Sequence, residues 1–147
     1  MRNGFATHRD MVEWSNALMG SRPADIVIGS DYLHRWYVIP RNPFCNVYLH
    51  KFYRGDADPE MHDHPWDNRS YVLEGSYREQ TPTGDFVRRS GDVIERKADA
   101  LHRIEVMGRG PVITLFFTGP KVRDWGFMCA DGWMPWESFI KQRYGAK

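Results

Sequence analysis

The run His62-Asp63-His64-Pro65-Trp66-Asp67-Asn68, continued by RSYVLEG to Gly75, sets two imidazoles one residue apart. Residues i and i+2 of an extended chain point to the same side, so His62 and His64 would present their rings together while Asp63 points away. A third imidazole, His102, opens a later strand-like run, LHRIEVM. Neutral imidazole is a ligand for Fe, Zn, Ni, Cu and, less selectively, Mn, and three of them leave coordination positions for water or substrate. The pair also suits a plainer role, capping the turn before Pro65 with His102 lying elsewhere.

The elements that would carry these residues are mostly strands. IVI, YLHRWYVI and NVYLHKFY between Asp25 and Tyr53 are β-branched and aromatic, and RSYVLEGSYREQ, DFVRRSGDVIER, LHRIEVM and PVITLFF continue the pattern. Turn residues such as Gly29-Ser30-Asp31, Ser90-Gly91-Asp92 and Gly108-Arg109-Gly110 separate them. Short strands at close spacing predict an all-β sandwich or barrel, here with its β core at about 25–118. Thr7 with Asp10, then Met11, Trp14 and Leu18, predicts a capped helix at about 8–19. Trp136, Phe139 and Ile140 after Pro135 predict a second helix at about 135–144 that flanks or lids the sheet.

With 147 residues, 41% of them hydrophobic, and no repeat or charge run to divide it, the chain reads as a single domain, 1–147. Twenty basic and nineteen acidic side chains leave a formal charge of +1, no field for nucleic acid or an anionic membrane surface. The longest apolar run, VITLFF, is far short of a bilayer span. The first ten residues lack the apolar stretch of a secretory signal, and Cys45 and Cys129 form no Cys-x-x-Cys pair, so a cytoplasmic location is expected and both cysteines read as small buried apolar side chains.

The run from His62 to Gly75 resembles the first motif of the cupin superfamily: His-x-His, then a glutamate, then a glycine. Aligned on Gly75, it matches His62 and His64 and puts Asn68 at the glutamate's place. GDVIERKADALH resembles the second motif, with Gly91 and, eleven residues on, His102. Lys97, Asp99 and Val106 depart from the proline, glycine and asparagine preferred there. The resemblance implies a jelly-roll cupin holding a divalent metal on His62, His64 and His102, with Fe favoured and Zn, Ni or Mn as other candidates. With an amide in place of the carboxylate, the ligand set is all histidine, as in the thiol dioxygenase branch.

Around that site, His50 shares a strand face with Tyr48 and Phe52 and can contact substrate or support a ligand. Trp66 can wall a cavity or pack the rim, and Asn68 can coordinate weakly or serve the turn. Arg69, Arg103 and Arg123 are candidate clamps for a carboxylate. Trp125, Trp133 and Trp136 read as packing for the C-terminal helix, or as an aromatic rim around the barrel mouth. The expected functions are a mononuclear Fe(II)-dependent dioxygenase of a small thiol or carboxylate; a metal-independent sugar-nucleotide epimerase with a histidine base and Tyr77 or Tyr71 as acid; or a non-catalytic cupin that binds a small ligand. A homodimer covering open sheet edges is the expected assembly.

Overall fold

The computed structural model describes residues 6–145. Helix α1 (His8–Ser21) starts at a capping box in which the Thr7 side chain accepts from the Asp10 amide while the Asp10 carboxylate accepts from the Thr7 amide. It runs two residues further than the sequence pattern predicts. The strands follow as β1 (Ile26–Ile28), β2 (Leu33–Tyr37), β3 (Asn46–Phe52), β4 (Asn68–Glu74), β5 (Ser76–Thr81), β6 (Gly84–Arg89), β7 (Val93–Arg96), β8 (Arg103–Val106) and β9 (Val112–Thr118). Then come β10 (Gly126–Cys129), β11 (Gly132–Pro135) and α2 (Trp136–Tyr144).

A six-stranded sheet in the order β1-β2-β3-β9-β4-β7 faces a three-stranded sheet in the order β6-β5-β8. Their pairings are antiparallel. Both faces of the large sheet are apolar, and alternation along each strand divides the side chains between them. The outer face carries Trp36, Leu49, Leu73, Ile113 and Leu115, which pack with Met11, Val12, Leu18 and Met19 of α1. The inner face carries Leu33, Phe52, Val72, Ile94 and Val112, which pack with Tyr77 and, on β8, Ile104 and Val106 of the small sheet. The site lies on this inner side.

Gly75 breaks RSYVLEGSYREQ into β4 and β5, so the chain passes from one sheet to the other there. Its φ is +79°, and a Cβ would stand 2.6 Å from the Pro111 carbonyl oxygen. Both the conformation and the close approach require glycine.

Beyond the predicted core the chain forms an unpredicted hairpin, β10 with β11, registered from Gly126 opposite Pro135 to Cys129 opposite Gly132. Helix α2 packs on it through Phe139, which stacks on Phe127 at 3.9 Å, and through Trp136, which stacks on Trp125 at 5.9 Å. Trp133 does not share that packing role: its indole N–H donates to Asp63. Pro135 sits at the N-cap of α2 and not in its first turn. Cys45 is exposed and Cys129 half-buried, both as free thiols, which corrects their reading as buried side chains. Among the described residues no helix is long and apolar enough to cross a membrane.

Candidate metal centre

His62, His64 and His102 each bring one ring nitrogen within 4.8 Å of the others. None lies inside a regular strand. His62 makes single bridges to His102 on one side and to Phe127 of β10 on the other. The His62 and His102 amides donate reciprocally to each other's carbonyl oxygens at 2.9 Å, the His64 amide donates to Ala98, and the Asp63 amide to Gly126. The His-x-His segment is therefore stitched between the residues before β8 and the hairpin. That backbone keeps it extended, and its alternation sends His62 and His64 one way and Asp63 the other. Asp63 is buried, where it accepts from the Gly126 amide and the Trp133 indole and pairs with Arg123 at 2.6 Å.

Two of the rings are held in the form that ligates. Burial pushes His62 down to about 4, against the opposing pull of Asp56, whose carboxylate is 3.8 Å from Nδ1. Burial, with His102 and His62 adding to it, holds His64 well below the ordinary histidine value. Both are neutral at pH 7, as metal ligands must be. His102 Nδ1 lies 2.7 Å from Glu79 Oε2. An ionised carboxylate only accepts, so the proton of this contact sits on His102 Nδ1, and Nε2 is the nitrogen left for another partner. That Nε2 and the Nδ1 of His64 are buried without a hydrogen-bond partner. An unsatisfied buried polar atom costs about 1–3 kcal/mol, and three imidazoles with converging nitrogens and Nε2 of His102 unpartnered are a donor set that suits a divalent metal; the residues fit the group.

Behind His102 stands a network that the sequence reading missed. Glu79 is 2% exposed; Oε2 accepts from Arg96 Nε at 2.5 Å and from His102, and Oε1 accepts from Arg88 at 2.8 and 3.0 Å. Burial alone would raise its pKa, but the hydrogen bonds and charges of His102 and Arg96 outweigh it and hold the carboxyl well below the usual range. Arg96 also donates to Ser70 Oγ at 3.0 Å and to the Tyr77 hydroxyl at 3.3 Å. The available signal was parity: on β5, Glu79 shares the buried side with Tyr77, an unusual place for a charge.

The other candidates divide. His50, Trp66 and Tyr77 line the same cavity as the three histidines, and Trp66 stacks on His64 at 5.7 Å. Asn68 is buried but lines a separate depression with Arg69; its amide donates to the Trp66 carbonyl and accepts from Arg96 at 3.4 Å. Arg69 is on the outer surface, paired with Glu95, so the structure does not bring it to the site. Arg103 is spent on the carbonyls of Asp56 and Asp58 and on Gln80, and Arg123 on Asp63. Tyr71 falls on the outer face of β4, where its hydroxyl bonds His8 of α1; it is no candidate acid for the cavity. Burial raises the pKa of Tyr77.

The cavity has a volume of about 670 Å³, inside the usual range for small-molecule sites. Tyr32, Phe52, Phe116, Trp125 and Phe127 form much of its wall.

No protein-family model matches the sequence, and a sequence comparison with curated proteins finds no relative. Solved structures do resemble the chain. An RmlC-like cupin from Ralstonia eutropha aligns with 84% of this chain and 79% of its own, at 16% identity and a TM-score of 0.56. A cupin superfamily protein from Desulfitobacterium hafniense aligns over 65% of this chain and 84% of its own, at 18% identity and a TM-score of 0.52. KdgF from Halomonas sp. aligns over 66% and 87%, at 18% identity and a TM-score of 0.54. The chain has the cupin fold, with a histidine cluster that can hold a metal.

Proposed function

We propose that the protein is a metal-binding cupin that holds a divalent transition metal, Fe(II) before Zn, Ni or Mn, on His62, His64 and His102, and that it acts as a mononuclear dioxygenase on a small thiol or carboxylate. The observation that carries this reading is the convergence of one ring nitrogen each from His62, His64 and His102 within 4.8 Å, on rings of which His64 and His102 each keep a buried nitrogen without a hydrogen-bond partner. When bound, Fe(II) supplies redox chemistry with dioxygen and Lewis acidity toward the substrate. The chain supplies the rest. Glu79 keeps the proton on His102 Nδ1 and fixes the ring's orientation. Aromatic walls offer an apolar surface to a substrate body beside the histidines. The preference for Fe follows from the all-histidine set, which resembles that of thiol dioxygenases.

The test is elemental analysis of protein purified anaerobically without chelators, followed by oxygen uptake with Fe(II) across a panel of thiols and small carboxylic acids. About one metal ion per chain, lost in His102→Ala, supports the metal centre; none in the unaltered protein overturns it. A loaded protein that consumes no oxygen with any member of the panel refutes the dioxygenase and leaves a ligand-binding cupin.

A further inference from the structure

Arg35 enters the cavity from β2, on the face it shares with Leu33 and directly across from His50 in the β2–β3 register. Its Nε donates to His50 Nε2 at 2.9 Å, and the guanidinium lies 4.4 Å from the centre of the Tyr48 ring. His50 is itself fixed, stacked between Tyr48 at 5.8 Å and Phe116 at 5.2 Å. Burial, then the charge of Arg35, holds it well below the ordinary histidine value, so it stays a neutral acceptor. These contacts aim the guanidinium and leave its charge unbalanced.

Other arginines around the cavity are differently placed. Arg96 rests on Glu79, Arg123 on Asp63, and Arg143 on Asp58 and Glu60. Arg54 is exposed to water. Arg35 is half-buried, and among the described residues no carboxylate comes within ion-pair reach of it. A cation removed from water without a counter-charge is costly, and in this place the cost falls beside an aromatic-walled cavity.

We propose that the cavity binds an organic monocarboxylate with an apolar or aromatic body, its carboxylate lying on the two Nη groups of Arg35. With Nε taken by His50, the Nη pair still offers two parallel donors, the arrangement that suits a carboxylate. One unbalanced charge matches a monoanion and not a phosphate dianion. The volume and lining suit a body of drug-like size. The inference rests on the reading of this cavity as the ligand site, and it does not require the metal.

The experiment uses chelator-treated protein, so that failure of the metal centre does not affect it. The probes are butyrate, hexanoate, octanoate, benzoate, phenylacetate and 3-phenylpropionate, each beside its primary amide, with phenyl phosphate as the dianion; affinities are read by titration calorimetry and ligand-observed NMR. At least one acid should bind roughly tenfold or more tighter than its amide, the scale of a charge-assisted hydrogen bond. Arg35→Met should erase that difference while binding the amide as the unaltered protein does. Arg35→Lys, which keeps the charge and guards against a misfolded Met variant, should weaken the acid and spare the amide. Equal binding of acids and amides, no binding by any acid, or tighter binding of phenyl phosphate overturns the proposal.

Discussion

Replacing Glu79 by glutamine changes one oxygen for an NH2 group and removes one charge. Four donors converge on this carboxylate: two from Arg88, one from Arg96 and one from His102. An amide accepts at one end only, so its NH2 must face either the Arg88 pair or the Arg96 and His102 donors. Arg96, 6% exposed at its side chain, then loses its counter-ion inside the protein. Removing one partner of a buried ion pair typically costs about 3–5 kcal/mol, and losing the group that orients a ligand histidine typically weakens metal binding about 10–100-fold. Equilibrium urea unfolding of metal-free protein reads the first, and competition with a chromophoric chelator reads the second. Arg88→Met is the control, since the Arg88 side chain is a quarter exposed and Arg96 remains to balance the carboxylate; it should cost less than half as much. If Glu79→Gln unfolds within about 1 kcal/mol of the unaltered protein and takes up metal as tightly, the account of Glu79 as the support of His102 is wrong.

Two further expectations follow from burial. His50 is neutral in the folded protein, whereas the unfolded chain takes up a proton near the ordinary value of 6.5, so stability falls as pH drops below that point. The slope is up to about 1.4 kcal/mol per pH unit for such a ring. Between pH 7.5 and 5.5 the unaltered protein should therefore lose about 1.4 kcal/mol more than His50→Asn in urea melts of metal-free protein; equal losses contradict a neutral His50. At Gly126 a Cβ would stand 2.0 Å from the Met134 carbonyl oxygen, so Gly126→Ala must open the β10–β11 hairpin. The expected loss is about 3 kcal/mol or more, together with weaker metal uptake because the Gly126 carbonyl holds the Asp63 amide; unchanged metal uptake would detach the hairpin from the site.

The β-branched and aromatic runs between turn residues made much of the core legible, because strands buried on both faces, such as β9, read as nearly continuous apolar runs. The capping box of α1 was equally plain at Thr7 and Asp10. The hairpin at Gly126–Pro135 was not, since its residues Gly-Phe-Met-Cys and Gly-Trp-Met-Pro carry no clean alternation and bury themselves mainly against α2 and the His62 segment. The three histidines were legible as types at a spacing. What surrounds them was not: Glu79, Arg96 and Arg35 look like ordinary strand charges until pairing brings β5 beside β8 and β2 beside β3. Parity marks the buried side of a strand, as at Glu79 beside Tyr77, but long-range register decides which partner each buried charge meets, and no local pattern encodes that.

The amide at Asn68 takes its meaning from Arg96. One guanidinium reaches Glu79, Ser70, the Tyr77 hydroxyl and, at 3.4 Å, the Asn68 side-chain oxygen. A carboxylate at position 68 would place a second anion on the same guanidinium and compete with Glu79 for it. Glu79 would then face His102 with less of its charge balanced, in a position 2% exposed, where an unbalanced carboxylate is held at high cost. A neutral acceptor at 68 satisfies the guanidinium edge without that competition. The acidic partner of this site therefore stands behind a ligand ring, at Glu79, and not at the motif position beside His64. A metal held on His62, His64 and His102 would gain no carboxylate from position 68 and would keep more of its attraction for an anionic ligand.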